Sequence, residues 1–386
     1  MKIDLISFGR FHLFNLANQL YKHEVLNKFI ISHPKSKLHG LTIPNQIIDT
    51  NNFEYIRRLL YLLGDSKNNF IFTMDKLNKL FSKNASNKIS TESDIVIALS
   101  DSALEILKEA KEAKKTTILE RGSSHILYAL NLLEHEGKIV NKEFNKFTQL
   151  HIDRCMEEYE LADYISIPSS FVKRSFLEYG VPEEKLLVNP YGVDLSKFHQ
   201  VPKNDYIFRI IYAGGLTFQK GSHYLLQAFD ELSLKNCELW HLGSINDEIK
   251  PYIEKYKNEN IKLIGHKPQN ELYKYYSQGS MFIIPSIQEG MAMVQLQAMA
   301  CGLPLICTTN TGGDDLITKD GEEGFVIPIR DIDAIKEKIL YLYENQDIAK
   351  EMGQKAKKRV SLGFTWDDYG DRYIENLERI LSAKNK

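Results

Sequence analysis

The chain of 386 residues is long enough for two or three domains of ordinary size, each with a full core. Its formal net charge of −2 argues against a general nucleic-acid-binding protein, so we expect no nucleic-acid partner. The four cysteines form no CxxC pair and suit reduced, buried thiols. Asp4 and Arg10 interrupt any signal-peptide pattern, and no apolar run approaches the roughly 20 residues that span a bilayer. We therefore expect a cytoplasmic protein, with peripheral contact to the inner face of a membrane left open.

Short β-rich runs alternate with helical patterns, which predicts an α/β fold of two Rossmann-like, doubly wound parallel sheets. The first sheet is predicted from six runs: IDLIS from Ile3, KFIIS from Lys28, DIVIAL from Asp94, TTILE from Thr116, DYISIP from Asp163 and LLVN from Leu186. The second sheet is predicted from six more: IFRIIYAG from Ile207, CELWHLG from Cys237, IKLIG from Ile261, MFII from Met281, PLICT from Pro304 and GFVIP from Gly324. The polar, proline-containing stretch from Lys197 to Tyr206 is the predicted linker.

The segment from Asn51 to Lys88 departs from this alternation, because it interleaves basic and aromatic residues with few acids. The residues concerned are Arg57, Arg58, Lys67, Lys76, Lys79, Lys83 and Lys88, with Phe53, Tyr55, Tyr61, Phe70, Phe72 and Phe81. One interpretation is a pair of surface helices with solvated lysines, and we favour it. The other is docking onto an anionic membrane or a lipid-linked acceptor.

The loops that follow strands carry the candidate site, because ligands of open α/β sheets bind beyond the carboxyl ends of the strands. Gly9 and Arg10 follow the first predicted strand, and Arg121 and His125 follow TTILE. In the second half, a glycine-rich loop with Lys220 follows IFRIIYAG. Glycines there allow the backbone to approach an anion closely, and the lysine can neutralise it.

The run PSIQEGMAMVQLQAMACGLP, from Pro285 to Pro304, joins a buried strand to an apolar helix. Glu289 and Gly290 lie in the strand-to-helix turn, where free N–H groups and the helix dipole favour a phosphate. Gln297 is predicted two turns further along, on the face that Gly290 and Met293 share. An ordinary turn with a capping acid is the alternative for this run taken alone.

Three blocks of the chain resemble the retaining glycosyltransferases of family 4. Pro285 to Pro304 resembles the EGxxxxxxE motif and its A-x-A-x-G-x-P tail, with Gln297 in place of the second acid. GGLTFQKGSHYLLQAF from Gly214 resembles the G-R-L-x-x-x-K-G phosphate loop, with Gly215 in place of the arginine. PSSFVKRSFLEYGVPEEKLLVNPYGVDLSKF from Pro168 resembles the pattern between the two domains.

This resemblance implies a GT-B fold with two domains that face a cleft. Residues 1–200 would form the acceptor-side domain and residues 205–363 the nucleotide-sugar domain. The final helix, 364–386, would cross back onto the first domain. A capping-box pattern at Thr365 and Asp368 supports a helix there.

The resemblance also implies a reaction: metal-independent, retaining transfer of a sugar from a UDP- or GDP-linked donor, without a further cofactor. The acceptor would be a glycan or glycolipid, and the pathway cell-surface polysaccharide synthesis. No cluster of acids suggests a metal. Two alternatives stay open, a nucleotide-sugar epimerase of the same fold and a degenerate sugar-nucleotide-binding protein.

Individual site residues follow from the matched motifs. Lys220 would neutralise the leaving diphosphate, Glu289 would hold a sugar hydroxyl, and His125 would lie near the donor sugar. Arg10 and Arg121 could replace the cation that Gly215 removes. The remaining expected contacts are Gly214, Gly215, Gly221, Gly290, Met291, Ala292, Met293, Gln297, His266 and Lys267 on the donor side, and Gly9 on the acceptor or phosphate side. Gln297 cannot accept bonds as a carboxylate does, which would weaken donor binding about tenfold.

Overall fold

Two open parallel sheets organise the structure, a computed structural model that describes residues 1–62, 67–144 and 147–384. The strands of the first sheet are β1 (Ile3–Ser7), β2 (Leu26–Ile31), β3 (Ile48–Thr50), β4 (Ile95–Leu99), β5 (Thr116–Glu120), β6 (Tyr164–Ile167) and β7 (Leu186–Val188). The strands of the second are β8 (Phe208–Ala213), β9 (Cys237–Leu242), β10 (Ile261–Leu263), β11 (Met281–Ile284), β12 (Leu305–Thr308) and β13 (Gly324–Ile327). All twelve predicted strands are confirmed, and the short edge strand β3 is the one that the sequence did not reveal.

Fourteen helices are described around these sheets. They are α1 (Leu13–Lys22), α2 (Phe53–Leu62), α3 (Lys67–Ser86), α4 (Leu104–Glu112), α5 (Ile126–Val140), α6 (Gln149–Leu161), α7 (Ser170–Glu178), α8 (Ser222–Leu232), α9 (Lys250–Lys255), α10 (Leu272–Tyr276), α11 (Met293–Ala300), α12 (Ile332–Glu344), α13 (Gln346–Ser361) and α14 (Trp366–Lys384). Among the helices that the structure describes, none is long and apolar enough to cross a membrane.

The order of the strands shows where a crevice opens at the edge of each sheet. The first sheet runs β3-β2-β1-β4-β5-β6-β7, and the second runs β10-β9-β8-β11-β12-β13. Every described pair is parallel. The order reverses between β1 and β4 and again between β8 and β11, so each sheet has a switch point where a crevice opens. Strands buried on both faces, such as β11 with its fully buried Met281–Ile284, explain the continuous apolar runs.

The final helix returns to the first sheet. Tyr373 on α14 donates a hydrogen bond of 2.7 Å to Glu120 at the end of β5, and Leu377 is fully buried. The predicted capping box is confirmed, since Thr365 N donates to Asp368 Oδ2 at 2.8 Å and Asp368 N to Thr365 Oγ1 at 3.1 Å. Residues 385–386 lie outside the described chain. The boundaries 1–200 and 205–363 stay predictions.

The basic aromatic segment forms helices α2 and α3, but α3 is not a purely solvated surface helix. Leu77 and Phe81 are buried, Phe81 in a cluster with residues of the first sheet, while Lys76, Lys79 and Lys83 are exposed. Residues 63–66 lie outside the described residues, as do the side chains of four residues named above, Tyr61, Lys67, Phe70 and Phe72. The segment therefore contributes to the core as well as to the surface.

We expect the contact between α14 and the first sheet to contribute directly to stability. Leu377→Ala removes a fully buried side chain, so it should lower the free energy of unfolding by about 2–4 kcal/mol. Chemical denaturation measures this loss. The neighbouring exposed Glu378→Ala serves as the matched control and should change stability by less than about 0.5 kcal/mol. Equal effects of the two substitutions would contradict the packing of α14.

Candidate active site

A cavity of about 790 Å³ opens at the switch point of the first sheet. Loops after β1, β4 and β5 form most of its wall, and Met291 and Met293 of the second sheet's domain close it from the opposite side. Gly9 lines it, with its amide held by Ser32 Oγ at 3.2 Å. Arg10 also lines it, stacks over the Phe14 ring at 4.7 Å and donates to the His39 carbonyl at 2.7 Å. Both residues thus line the cavity, and their assignment to the acceptor or phosphate side stays a prediction.

A buried histidine that the motifs did not single out lies in the same wall. His12 Nε2 is 2.7 Å from Glu120 Oε2, and Tyr373 holds the other carboxylate oxygen at 2.7 Å. The Tyr191 ring packs on the imidazole with 4.5 Å between centroids. Glu120 therefore fixes the orientation of the ring, and α14 fixes Glu120. The signal was present in the sequence, since His12 follows β1 and Glu120 ends β5.

Arg121 lines the cavity, but its donors are already used. The guanidinium is buried and donates to Asp101 Oδ1 at 2.7 Å, to Ser100 Oγ at 3.1 Å and twice to the Ser124 carbonyl. Although burial lowers the pKa of Arg121, neighbouring Tyr159 and Asp101 raise it above its usual range. The guanidinium is thus paired with Asp101, and the expected role of Arg121 at a diphosphate stays a prediction. Arg121 holds the β4 and β5 loops together.

His125 is not among the described residues that line this cavity, and its expected place near a donor sugar stays a prediction. Its ring stacks on Tyr179 at 4.5 Å and contacts Phe176 and Tyr159. Among the described residues, neither ring nitrogen has a hydrogen-bond partner. Burial, reinforced by the Arg121 charge, lowers the pKa of His125 to about 4. The imidazole is thus a neutral aromatic packing residue.

Lys220 and Glu289 meet at the switch point of the second sheet. The Lys220 ammonium forms an ion pair with Glu289 Oε1, which also accepts a hydrogen bond from Ser286 Oγ at 3.1 Å. Lys220 is held on the loop after β8 by its amide, which donates to Thr217 Oγ1 at 3.2 Å. Neither side chain is fully buried. The pairing joins the two motifs that the sequence places 69 residues apart.

The glycine loop before α8 brings its backbone close to the turn after β11. Gly221 is the N-cap residue that precedes α8; its φ is 62°, and a Cβ there would lie 2.0 Å from the Pro285 carbonyl oxygen. Gly214 accepts a bond from His241 Nε2 at 2.8 Å, and Gly215 accepts one from the Tyr212 hydroxyl at 2.8 Å. The loop therefore reaches Pro285 only because residue 221 has no side chain.

The turn between β11 and α11 contacts the first domain directly. A Cβ on Gly290 would lie 1.8 Å from the Gly122 carbonyl oxygen, and Ser169 Oγ donates to the Gly290 carbonyl at 2.8 Å. Gln288 Nε2 reaches Ser123 Oγ at 2.8 Å and Ser124 Oγ at 2.9 Å. Gln288 directly precedes the motif residues, and the sequence did not predict that it would bridge the two domains.

The other residues expected to contact the donor lie at several separate places, some of them buried and some exposed. Met291 and Ala292 are buried, and Gln297 is buried with its Oε1 3.4 Å from the Tyr276 hydroxyl. His266 is exposed beyond β10, and Lys267 Nζ lies 5.3 Å from the Tyr275 ring centroid.

Among the described residues, one cluster of three side chains is of the types that bind metal ions. Ligand atoms of Asp101, His151 and Cys155 lie within 4.8 Å of one another. Asp101 Oδ1 is already the acceptor for Arg121 and for the Cys155 thiol at 3.2 Å. Burial raises the pKa of Cys155 well above its usual value, which favours the thiol over the metal-binding thiolate. The cluster fits an internal hydrogen-bond network, and the expected metal independence stays a prediction.

The fold is that of GT-B glycosyltransferases, in which two Rossmann-like α/β domains face each other. Alr3699/HepE from Anabaena in complex with UDP-glucose superimposes with a TM-score of 0.71, at 16% identity, over 98% of this chain and 100% of that one. Sucrose-phosphate synthase from Thermosynechococcus elongatus gives a TM-score of 0.69 at 16% identity, over 99% and 100% of the two chains. At these identities the similarity shows the fold alone.

Sequence comparisons match part of the chain to a family model and to several relatives. Residues 195–359 match the family model of Glycosyl transferases group 1, which is less than half of the chain. The capsular polysaccharide biosynthesis glycosyltransferase CapM of Staphylococcus aureus is 29% identical over 50% of this chain and 52% of its own length. The uncharacterized glycosyltransferase MJ1178 of Methanocaldococcus jannaschii is 31% identical over 62% and 64%. The chain thus spans between half and two thirds of these relatives' length.

The close approach at Gly290 predicts how the two domains respond to a methyl group. Gly290→Ala should push the β11 turn away from Gly122, because the added carbon overlaps a backbone oxygen that cannot rotate away. We expect a larger radius of gyration by small-angle scattering. Gly215→Ala is the control, since its Cβ would meet nothing nearer than 3.4 Å. An unchanged radius for Gly290→Ala would show that the contact is not needed for closure.

The buried, neutral His125 predicts a pH dependence of stability. Its pKa of about 4 lies below the usual 6.5, so between these values the unfolded chain binds a proton that the folded chain does not. Stability is fully present above pH 6.5 and should fall on acidification by on the order of 2 kcal/mol. His125→Phe should flatten this loss in denaturation curves at pH 7 and pH 4.5. The exposed His135→Gln, on the same helix, should leave it intact; an unchanged slope in His125→Phe would contradict the assignment.

Proposed function

We propose that this protein is a retaining, metal-independent glycosyltransferase of family 4. It would transfer a sugar from a UDP- or GDP-linked donor to a glycan or glycolipid acceptor in cell-surface polysaccharide synthesis. The observation that carries the proposal is the Lys220–Glu289 pair at the switch point of the second sheet, within the segment that matches the group 1 family. Relatives named for capsular, colanic acid and amylovoran biosynthesis support the pathway.

The donor's diphosphate would compete with Glu289 for Lys220. Breaking of the bond between sugar and diphosphate leaves negative charge on the phosphate, so a cation aimed at it stabilises the transition state more than the ground state. Gly221 opens α8 without a side-chain cap, which leaves the helix N-terminus available to the same anion. These groups can neutralise the diphosphate without a metal ion.

Glu289 is released to the sugar when Lys220 turns to the phosphate. Its carboxylate accepts hydrogen bonds, so it suits a sugar hydroxyl, and Ser286 fixes one of its oxygens. In the same-side transfer that the resemblance implies, the acceptor oxygen bonds to the sugar carbon as the diphosphate leaves, and the acceptor proton passes to a phosphate oxygen. Cytoplasmic location and contact with the inner membrane face belong to this proposal.

Lys220→Ala should weaken nucleotide binding by about 10- to 100-fold, the worth of a charge-assisted hydrogen bond. Glu289→Gln should keep nucleotide affinity but slow sugar transfer. Calorimetry with UDP and GDP, and nucleotide release from a panel of donor sugars, measure the two effects. The exposed Lys350→Ala is the control, and chelator should leave binding unchanged.

Three results would count against the proposal. Loss of nucleotide binding with chelator would refute metal independence. Nucleotide binding without any transfer would favour the degenerate binding protein. Conversion of the donor sugar without nucleotide release would favour the epimerase.

A further inference from the structure

A second cavity, of about 510 Å³, lies at the amino-terminal edge of the second sheet, and we call it the linker cavity. Phe208 is the first residue of β8, and Ser280 and Leu303 lie just before β11 and β12. The chain segment between the two sheets and helix α13 complete the wall. Lys220 and Glu289 follow the opposite, carboxyl ends of β8 and β11, on the order of 15 Å away along the strands. The linker cavity is therefore separate from the candidate active site.

Lys203, on the segment between the sheets, brings an unpaired cation to this wall. Its ammonium donates to the Ile207 carbonyl at 2.7 Å and to Ser280 Oγ at 2.8 Å. An ammonium has three N–H groups, so one is left for a ligand. The one acid in the described lining, Asp205, is held by both terminal nitrogens of Arg209, at 2.7 and 2.6 Å. Lys203 thus has no ion-pair partner among the residues that the structure describes.

The surroundings of Lys203 disfavour its positive charge. Burial is the main cause that lowers the pKa of Lys203 to about 8, and the charges of Arg209 and Lys350 lower it as well. Asp205 and Cys237 act in the opposite direction without cancelling these effects. An anion beside the ammonium would remove the cost of holding an unpaired, half-buried cation. The wall therefore favours a ligand that carries negative charge.

A second lysine and three amides line the same space. Lys350 reaches it from α13 and is 76% exposed, and the glutamines are Gln200, Gln346 and Gln354. Gln354 Nε2 donates to Gln200 Oε1 at 3.2 Å. An amide side chain both donates and accepts hydrogen bonds, so it suits a hydroxyl group. Two cations and three amides around one cavity complement a molecule with a phosphate and several hydroxyl groups.

We propose that the linker cavity binds a small sugar phosphate, with Lys203 and Lys350 on the phosphate and the glutamine amides on the hydroxyl groups. Such a site lies beyond the proposed function, because it is at the edge of the second sheet opposite Lys220 and Glu289. The bound molecule would contact α13 and the chain segment between the two sheets at once.

The direct test is calorimetry on the full chain with glucose 6-phosphate, inorganic phosphate and glucose as probes. Glucose 6-phosphate should bind at least tenfold more tightly than phosphate or glucose, because it alone offers both the anion and the hydroxyl groups. Its affinity should fall as salt rises.

Binding should also draw a proton onto Lys203. At pH 8 about half of these side chains are neutral before binding, because their pKa is about 8. An anion raises that pKa, so the complex should take up as much as half a proton at pH 8, and affinity should fall as the pH rises further. Heats measured in two buffers of different ionisation enthalpy give the uptake.

Variants test the cations one at a time. Lys203→Met should weaken glucose 6-phosphate at least tenfold, and Lys350→Ala should weaken it severalfold. Lys203→Arg should keep binding but lose the proton uptake, because a guanidinium stays charged at pH 8. Lys358→Ala is the control, an exposed cation on the same helix as Lys350 and outside the described lining, and it should change neither quantity.

A cross-comparison separates this cavity from the donor groups. Lys220→Ala should keep the affinity for glucose 6-phosphate, whereas Lys203→Met should keep the affinity for whichever of UDP or GDP binds. If Lys220→Ala weakens glucose 6-phosphate as much as Lys203→Met does, the sugar phosphate binds at the donor groups and the linker cavity is refuted. Nucleotide binding and release judge the proposed function separately.

The other outcomes are equally decisive. Equal affinity for inorganic phosphate and glucose 6-phosphate would refute the sugar part of the ligand. Binding that survives in Lys203→Met, or that takes up no proton at pH 8 in the parent, would refute the role of Lys203. Absence of binding by every probe would refute the site. If Lys203→Met does not fold, Lys203→Arg and the proton uptake of the parent decide the same question.

Discussion

Contact between the Gly290 turn and the Gly122 loop determines how the two sheets face each other. Because neither residue has a side chain, the turn after β11 approaches the loop after β5 at backbone distance, and Gln288 and Ser169 fasten it by hydrogen bonds. The two switch points are thereby brought to one cleft. In the proposed function, a donor bound at the second sheet and an acceptor bound at the first would meet in this cleft.

Two kinds of charge arrangement operate across this cleft. Lys220 and Glu289 form an ion pair and neutralise each other at the switch point of the second sheet. On the first sheet, buried Glu54 anchors two arginines, Arg57 and Arg58, but cannot cancel both, and positive charge remains. In the proposed function a diphosphate has to break the Lys220–Glu289 ion pair, which costs binding free energy, but the pair spares the free protein an unpaired cation.

Much of the fold could be predicted from the sequence because parallel strands that are buried on both faces leave continuous apolar runs. The sequence did not predict the edge strand β3, because Ile48–Thr50 is only three residues long and includes Asp49 and Thr50. The motifs correctly predicted the strand-to-helix turn that holds Glu289 and Gly290. They could not show where a side chain points after its loop, as His125 and Arg121 illustrate. Both lie in strand-end loops, yet their rings and donors point into the first domain's core.

The sequence marked the loops that hold such residues, but it could not show which side chains from distant loops would pair. Glu120 and His12 are separated by 108 residues, and the helix that steadies them comes from the far end of the chain. Arg57 and Arg58 were noticed as part of a basic segment, but only the position of α2 beside the β1 loop shows that they line a cavity.

Glu136 on α5 is buried where the first domain touches α8 and the loop after β13. It accepts bonds from the Tyr224 hydroxyl at 2.9 Å and from Arg330 Nε at 2.6 Å, and His223 Nε2 lies 2.8 Å away. Together with the bonds of Gln288 and Ser169, this adds polar contacts between the domains to the packing of Phe144 on Phe218. Hydration of polar groups changes heat capacity in the opposite sense to hydration of apolar ones. Opening of the cleft should therefore carry a smaller heat-capacity change than separation of a purely apolar contact of the same area.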